Sequence, residues 1–168
     1  MIATRNEAQI LVGMADMKVG AAPAARLVTY ALGSCLGIAI HDPVAQVAGL
    51  LHVMLPMSTI DPAKAVDNPY MFVDTCVPAL FKACYQAGAK KERIVVKVAG
   101  GSFQGESEDA DRFQIGKRNM LTLRKLLWKN GVILHAHDVG GRQTSRTMYL
   151  DVASGDVTLK INGQESRL

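Results

Sequence analysis

Arg26-Leu-Val-Thr-Tyr-Ala-Leu-Gly-Ser-Cys-Leu-Gly-Ile-Ala-Ile-His41, then Asp42-Pro43, then Val47-Ala-Gly-Leu-Leu-His-Val-Met-Leu-Pro56 is the stretch whose reading decides the fold. Arg26 to Ala31 is rich in Val, Leu, Thr and Tyr and reads as a strand running into Leu32-Gly-Ser-Cys35. Leu36 to His41 and Val47 to Leu55 are near-continuous apolar runs. The Asp42-Pro43 turn signal between them predicts a hairpin or paired strands buried on both faces.

Working outward, Gln9 to Val19 alternates loosely and predicts a first strand, separated from the second by Gly20-Ala-Ala-Pro-Ala-Ala25. From Pro69 the apolar period becomes helical, through Phe72, Val73, Cys76, Val77, Leu80, Phe81 and Cys84. Gly88 ends this helix and Pro78 inside it predicts a kink. Arg93 to Ala99 is β-branched and ends in Gly100-Gly101, and the polar stretch from Ser102 to Arg112 reads as a loop. Gly116 to Lys129 predicts a second amphipathic helix with Met120, Leu123, Leu126 and Leu127 inward, closed by Asn130-Gly131. Val132 to Val139, Ser145 to Val152 and Asp156 to Ile161 predict three more strands. With no internal repeat or linker, residues 1–168 are expected to form one domain of the α/β class, a mixed sheet with helices packed on it.

Composition narrows the function classes. Apolar residues make up 49% and charged residues 20%, enough to fill a core and far from a disordered composition. The net charge of +4 is spread over both signs, and four Phe, four Tyr and one Trp offer few stacking platforms, so nucleic acid is not the expected partner. An acidic protein partner fits the same charge. Leu27 to Ile40 and Val47 to Pro56 are too short and too interrupted by glycine for the roughly 20 apolar residues that cross a bilayer. Arg5, Asn6 and Glu7 stand where a signal peptide would place its apolar run, so the expected compartment is the cytoplasm. Three cysteines at spacings of 41 and 8 match neither a disulfide framework nor a zinc pattern. Cys76 and Cys84 fall on the helix's apolar stripe, where a free thiol behaves as a small hydrophobe.

Cys35 is different, because Gly33 and Gly37 bracket it and allow backbone amides close to a reacting carbonyl. A thiol attacks as thiolate and needs a basic neighbour. His52, a lone polar ring in Leu50-Leu-His-Val-Met-Leu55, comes beside Cys35 if the Asp42-Pro43 turn folds its strand back. The ring's other nitrogen then needs an acceptor, which the Thr29 hydroxyl can supply. Patterning alone leaves two readings open, buried core residues or a nucleophile with its base. His135 and His137 alternate onto one strand face, but with no third ligand at a persuasive spacing neither a metal nor any other cofactor is expected.

Thr29-Tyr-Ala-Leu-Gly-Ser-Cys35, Asp42-Pro43 and Gly49-Leu-Leu-His-Val-Met-Leu-Pro56 resemble the chemoreceptor glutamine deamidase family, CheD. The resemblance continues through Lys97-Val-Ala-Gly-Gly101, Ile115-Gly-Lys-Arg-Asn119 and Asp138-Val-Gly-Gly-Arg142 and so covers nearly the whole chain. It implies an α/β/α-layered fold, a nucleophile at Cys35, a base at His52 and an orienting hydroxyl at Thr29. In such a site the backbone at Gly33 and Ser34 is expected to serve the oxyanion. The resemblance also implies a cytoplasmic enzyme that converts glutamines on chemoreceptor (methyl-accepting chemotaxis protein) helices to glutamate, without membrane insertion. A CheC-type chemotaxis phosphatase is a further partner in that family. The competing expectation is a non-catalytic regulator that binds such a phosphatase through the same cleft.

Overall fold

A computed structural model describes residues 8–23 and 25–168. Arg5, Asn6 and Glu7, whose polarity spoke against export, lie outside the described residues. Among the described residues, ten strands form two five-stranded sheets. The first contains β2 (Asp16–Ala21), β5 (Val47–Val53), β4 (Leu36–Asp42), β6 (Val95–Gly100) and β7 (Ala136–Val139) in that spatial order, antiparallel except for the parallel β6–β7 pair. The second contains β1 (Gln9–Leu11), β3 (Arg26–Leu32), β8 (Arg146–Asp151), β9 (Val157–Ile161) and β10 (Gln164–Arg167), with β1 parallel to β3 and the rest antiparallel.

Every residue of β4 and β5 is buried, as their unbroken apolar runs require. Leu36, Ile38, Ile40, Val47, Leu51 and Val53 face two helices, α2 (Val73–Gln86) and α3 (Ile115–Lys129). Ala39, Ala48 and Leu50 face the second sheet, against Leu27, Leu32, Met148 and Leu150. A third helix, α1 (Pro62–Asp67), is short and contributes no buried residue.

The α/β class and the mixed sheet carrying helices are as expected, but the outer layer opposite α2 and α3 is a sheet where the resemblance implied helices. The reason lies in β8, whose residues alternate between buried and partly exposed. Arg146, Met148 and Leu150 point inward, leaving Thr147, Tyr149 and Asp151 a surface water can cover. Further details also differ. The expected first strand divides into β1 and β2, which belong to different sheets, because the chain turns at 12–15 with Ala15 at φ 50°. Arg93 lies in a 3-10 turn ahead of β6. Only Ala136–Val139 of the expected 132–139 strand pairs, and β10 is polar and exposed throughout, which left no apolar signal to read. α2 runs through Pro78 as one helix.

The hairpin turn is tied down by Asp42. Its buried carboxylate accepts from Arg93 Nε and Nη2 and from the amides of Val44, Ala45 and Lys90. Burial alone would raise this carboxyl's pKa, but the Arg93 guanidinium and the three amides together hold it well below the usual carboxylate range. Among the described residues no helix is long and apolar enough to cross a membrane.

Candidate active site

The β4–β5 register sets Gly37 opposite His52 and Leu36 opposite Val53. Side chains two apart share a sheet face, so Cys35, immediately before β4, lies on the His52 side of the sheet. It packs there against the inter-sheet core, partly exposed, while His52 is fully buried. The thiol and the imidazole therefore belong to the space between the sheets, at the end of the β4–β5 ladder.

Thr29 reaches the same space from the other sheet. Its Oγ1 lies 2.7 Å from His52 Nδ1 and 2.7 Å from the Val12 carbonyl oxygen. A hydroxyl has one proton and a carbonyl can only accept, so Thr29 donates to Val12 and accepts from His52. The proton of the neutral ring is thereby placed on Nδ1. Nε2 keeps its lone pair and, although buried, has no hydrogen-bond partner among the described residues. Asp16, the register partner of His52 on β2, engages the amides of Gly13 and Met17 and the Lys18 ammonium. The ring is thus held by a neutral hydroxyl.

Burial pushes the Cys35 thiol up and draws His52 down to about 4. Both groups are therefore uncharged at neutral pH. The thiol and the imidazole thus form a neutral pair, and the proton has still to move when the sulfur attacks.

The loop carrying the cysteine is fixed through its carbonyls. Gly33 O accepts from Ser102 N at 2.9 Å, Ser34 O from Asn119 Nδ2 at 3.1 Å, and Cys35 O from Gly101 N at 2.9 Å. Of the two residues expected near an oxyanion, Gly33 donates its amide to Ala31 O at 3.0 Å, whereas the Ser34 amide donates to nothing among the described residues. The Cys35 amide makes no backbone–backbone hydrogen bond among the described residues, and its N–H lies against the residue's own sulfur, where it favours the thiolate. Gly100, at φ 117°, supports this arrangement, since a Cβ there would fall 2.1 Å from Cys35 O.

A family model described as CheD, chemotactic sensory transduction, matches residues 54–161. The chain belongs to the CheD family. It is 49% identical to the probable chemoreceptor glutamine deamidase CheD of Solibacter usitatus (strain Ellin6076), over 95% of this chain and 93% of that protein. It is 45% identical to the probable chemoreceptor glutamine deamidase CheD 1 of Syntrophus aciditrophicus (strain SB), over 92% of this chain and 94% of that one. A third relative, the probable chemoreceptor glutamine deamidase CheD 2 of Anaeromyxobacter dehalogenans (strain 2CP-C), is 40% identical over 95% of this chain and 98% of its own length.

Three supports of this CheD site escaped the sequence reading. Asn119 stands on the inward stripe of α3 with Gly116, Met120, Leu123 and Leu127, and a polar residue on an apolar stripe was the available signal. Ser102 is buried, with its Oγ unpartnered among the described residues. Arg146, also buried, donates to Gly100 O, Gly140 O and Asp138 Oδ1 and so braces the Gly100-Gly101 bend behind Cys35. His135 and His137 are exposed, and His135 Nδ1 accepts from Val96 N. Among the described residues no three His, Cys, Asp or Glu side chains gather into a metal-binding group.

Proposed function

We propose that this protein is a protein-glutamine deamidase acting on cytoplasmic helices of chemoreceptors, with Cys35 as nucleophile, His52 as base and Thr29 as the group that orients it. The observation that carries the reading is the Thr29 hydroxyl held between Val12 O and His52 Nδ1, which leaves Nε2 unprotonated on the Cys35 side of the sheet. The family and the names of its relatives supply the substrate class.

In the first step Sγ attacks Cδ of the glutamine side chain as its proton passes to His52 Nε2, and the carbonyl π pair moves to oxygen. The amides of Ser34 and Cys35, neither given to another backbone carbonyl, receive the oxyanion. Collapse of this intermediate breaks the C–N bond, Nε2 returns its proton to the departing nitrogen, and ammonia leaves a thioester. Water then attacks the thioester with Nε2 taking its proton, and Sγ departs and is reprotonated, giving glutamate. Thr29 stabilises imidazolium less than a carboxylate would, which a thiol tolerates because it is more acidic than a serine hydroxyl.

The whole chain works as one deamidase domain in the cytoplasm, and a CheC-type phosphatase is its second partner by family resemblance. Incubation with receptor fragments, followed by mass spectrometry, is expected to show a gain of about one dalton at particular glutamines with the wild type and none with Cys35→Ala. Equal gain with both proteins removes the nucleophile assignment. Fragments unmodified by wild-type protein that still binds a CheC-type phosphatase favour the non-catalytic regulator.

A further inference from the structure

The β4–β5 ladder ends at the Leu36–Val53 pair. Beyond it the two chains continue as Cys35-Ser34 and Met54-Leu55, and among the described residues no backbone hydrogen bond joins them there. A single side chain does so. Asn119, fully buried on α3, uses one Nδ2 proton for Ser34 O and the other for Met54 O, both at 3.1 Å. These acceptors lie one residue before Cys35 and two residues after His52, so the carboxamide takes the place of the ladder's next rung and ties the thiol loop to the imidazole strand.

The bond to Ser34 O has a second effect. That carbonyl and the Cys35 N–H belong to one trans peptide, in which C=O and N–H point in opposite directions. A donor on the carbonyl therefore aims the Cys35 amide away from α3, and by polarising the peptide makes that N–H a better donor. The neighbouring peptide is treated alike, with Gly33 O held by Ser102 N while the Ser34 amide stays free. Gly116 lets the helix come close enough for this, since a Cβ there would lie 2.4 Å from Gly101 O.

We infer that Asn119 is a positioning residue, which sets the Cys35 thiol against His52 and aims the Cys35 amide at the oxyanion. This rests on the reading of Cys35 and His52 given above. Asn119→Ala is expected to lower kcat about 10- to 100-fold with KM within about threefold, because the lost contacts serve the transition state more than substrate binding. Asn119→Asp lowers it further, a carboxylate having no proton to give either carbonyl. Leu127→Ala, from the same buried stripe, controls for stability, with a comparable fall in Tm and kcat within about threefold of wild type.

A substrate-free measurement accompanies the kinetics, namely the rate of Cys35 carbamidomethylation by iodoacetamide, followed by peptide mass mapping. Asn119→Ala is expected to slow it about tenfold in the wild-type background and less than twofold in His52→Ala, since the effect runs through the imidazole. Should Asn119→Ala fail to fold, Asn119→Ser, whose hydroxyl has one proton for two carbonyls, is measured in the same way. A folded variant with kcat and alkylation rate within threefold of wild type overturns the inference. If wild-type protein deamidates nothing yet its alkylation still depends on Asn119 through His52, the glutamine reading falls and the positioning role stands.

Discussion

Thr29 has one hydroxyl proton and two neighbours, and its preference for the Val12 carbonyl decides which nitrogen of His52 is protonated. Thr29→Val keeps the shape but removes the acceptor, so the ring can turn or change tautomer. The expected outcome is a kcat reduced about 10- to 100-fold with little change in KM, and a loss of roughly 1–3 kcal/mol from the buried polar groups left unpaired. Steady-state kinetics and denaturant melts measure the two effects separately. The low pKa of His52, about 4 in the fold, also has a sign. An exposed histidine titrates near 6.5, so as pH falls the unfolded chain takes up the proton first. The stability contributed by the neutral ring is complete above about pH 6.5 and is lost between there and about pH 4. His52→Leu should remove that part of the acid decline in Tm, and equal declines in both proteins count against a buried neutral imidazole.

Among the elements, the β4–β5 hairpin and the N-terminal turn of α3 carry the site. The hairpin returns His52 to the cysteine end, and Asp42 anchors its turn through six hydrogen bonds, three from backbone amides and three from the Arg93 guanidinium. Asp42→Ala leaves those amides unsatisfied and is expected to lower Tm by about 5–10 °C, read by differential scanning calorimetry. α3 approaches the Gly101-Ser102 backbone so closely that a methyl group at Gly116 would meet Gly101 O at 2.4 Å and Ser102 O at 2.7 Å. Gly116→Ala must push the helix outward, taking Asn119 from its two carbonyls. A cost of roughly 1–3 kcal/mol and a lower kcat are expected together, and an unchanged kcat would show that the helix does not transmit the shift.

At the scale of the whole molecule, the site exists only because two sheets are stacked. Thr29 belongs to one sheet and His52 to the other, and their 2.7 Å hydrogen bond crosses the gap. Gly37 keeps the gap narrow, since a Cβ at that position would lie 2.7 Å from Met148 Sδ and 2.8 Å from Leu32 Cδ1 of the opposing sheet. Gly37→Val is therefore expected to separate the sheets, to lower stability by about 1–3 kcal/mol and to reduce kcat as Thr29→Val does. Full activity in a folded Gly37→Val protein would show that the site tolerates a wider spacing.

Much of this was legible in the chain itself. Unbroken apolar runs on either side of Asp42-Pro43 called for adjacent strands buried on both faces, and the helical period from Phe72 to Cys84 called for α2, because burial selects apolar residues at the period of the backbone. Cys35, His52 and Thr29 were visible in those runs as candidates, with buried core residues as the other reading. The polar exposed β10 and the division of the first strand between two sheets had no such signature, and the strands of the second sheet did not reveal that they would stack as a layer of their own. The tautomer of His52, the unavailability of the Gly33 amide and the clamp by Asn119 were decided by the tertiary structure alone. Each rests on a backbone carbonyl, at Val12, Ala31, Ser34 or Met54, and every residue type has that group, so no choice of side chain announces where it will be used.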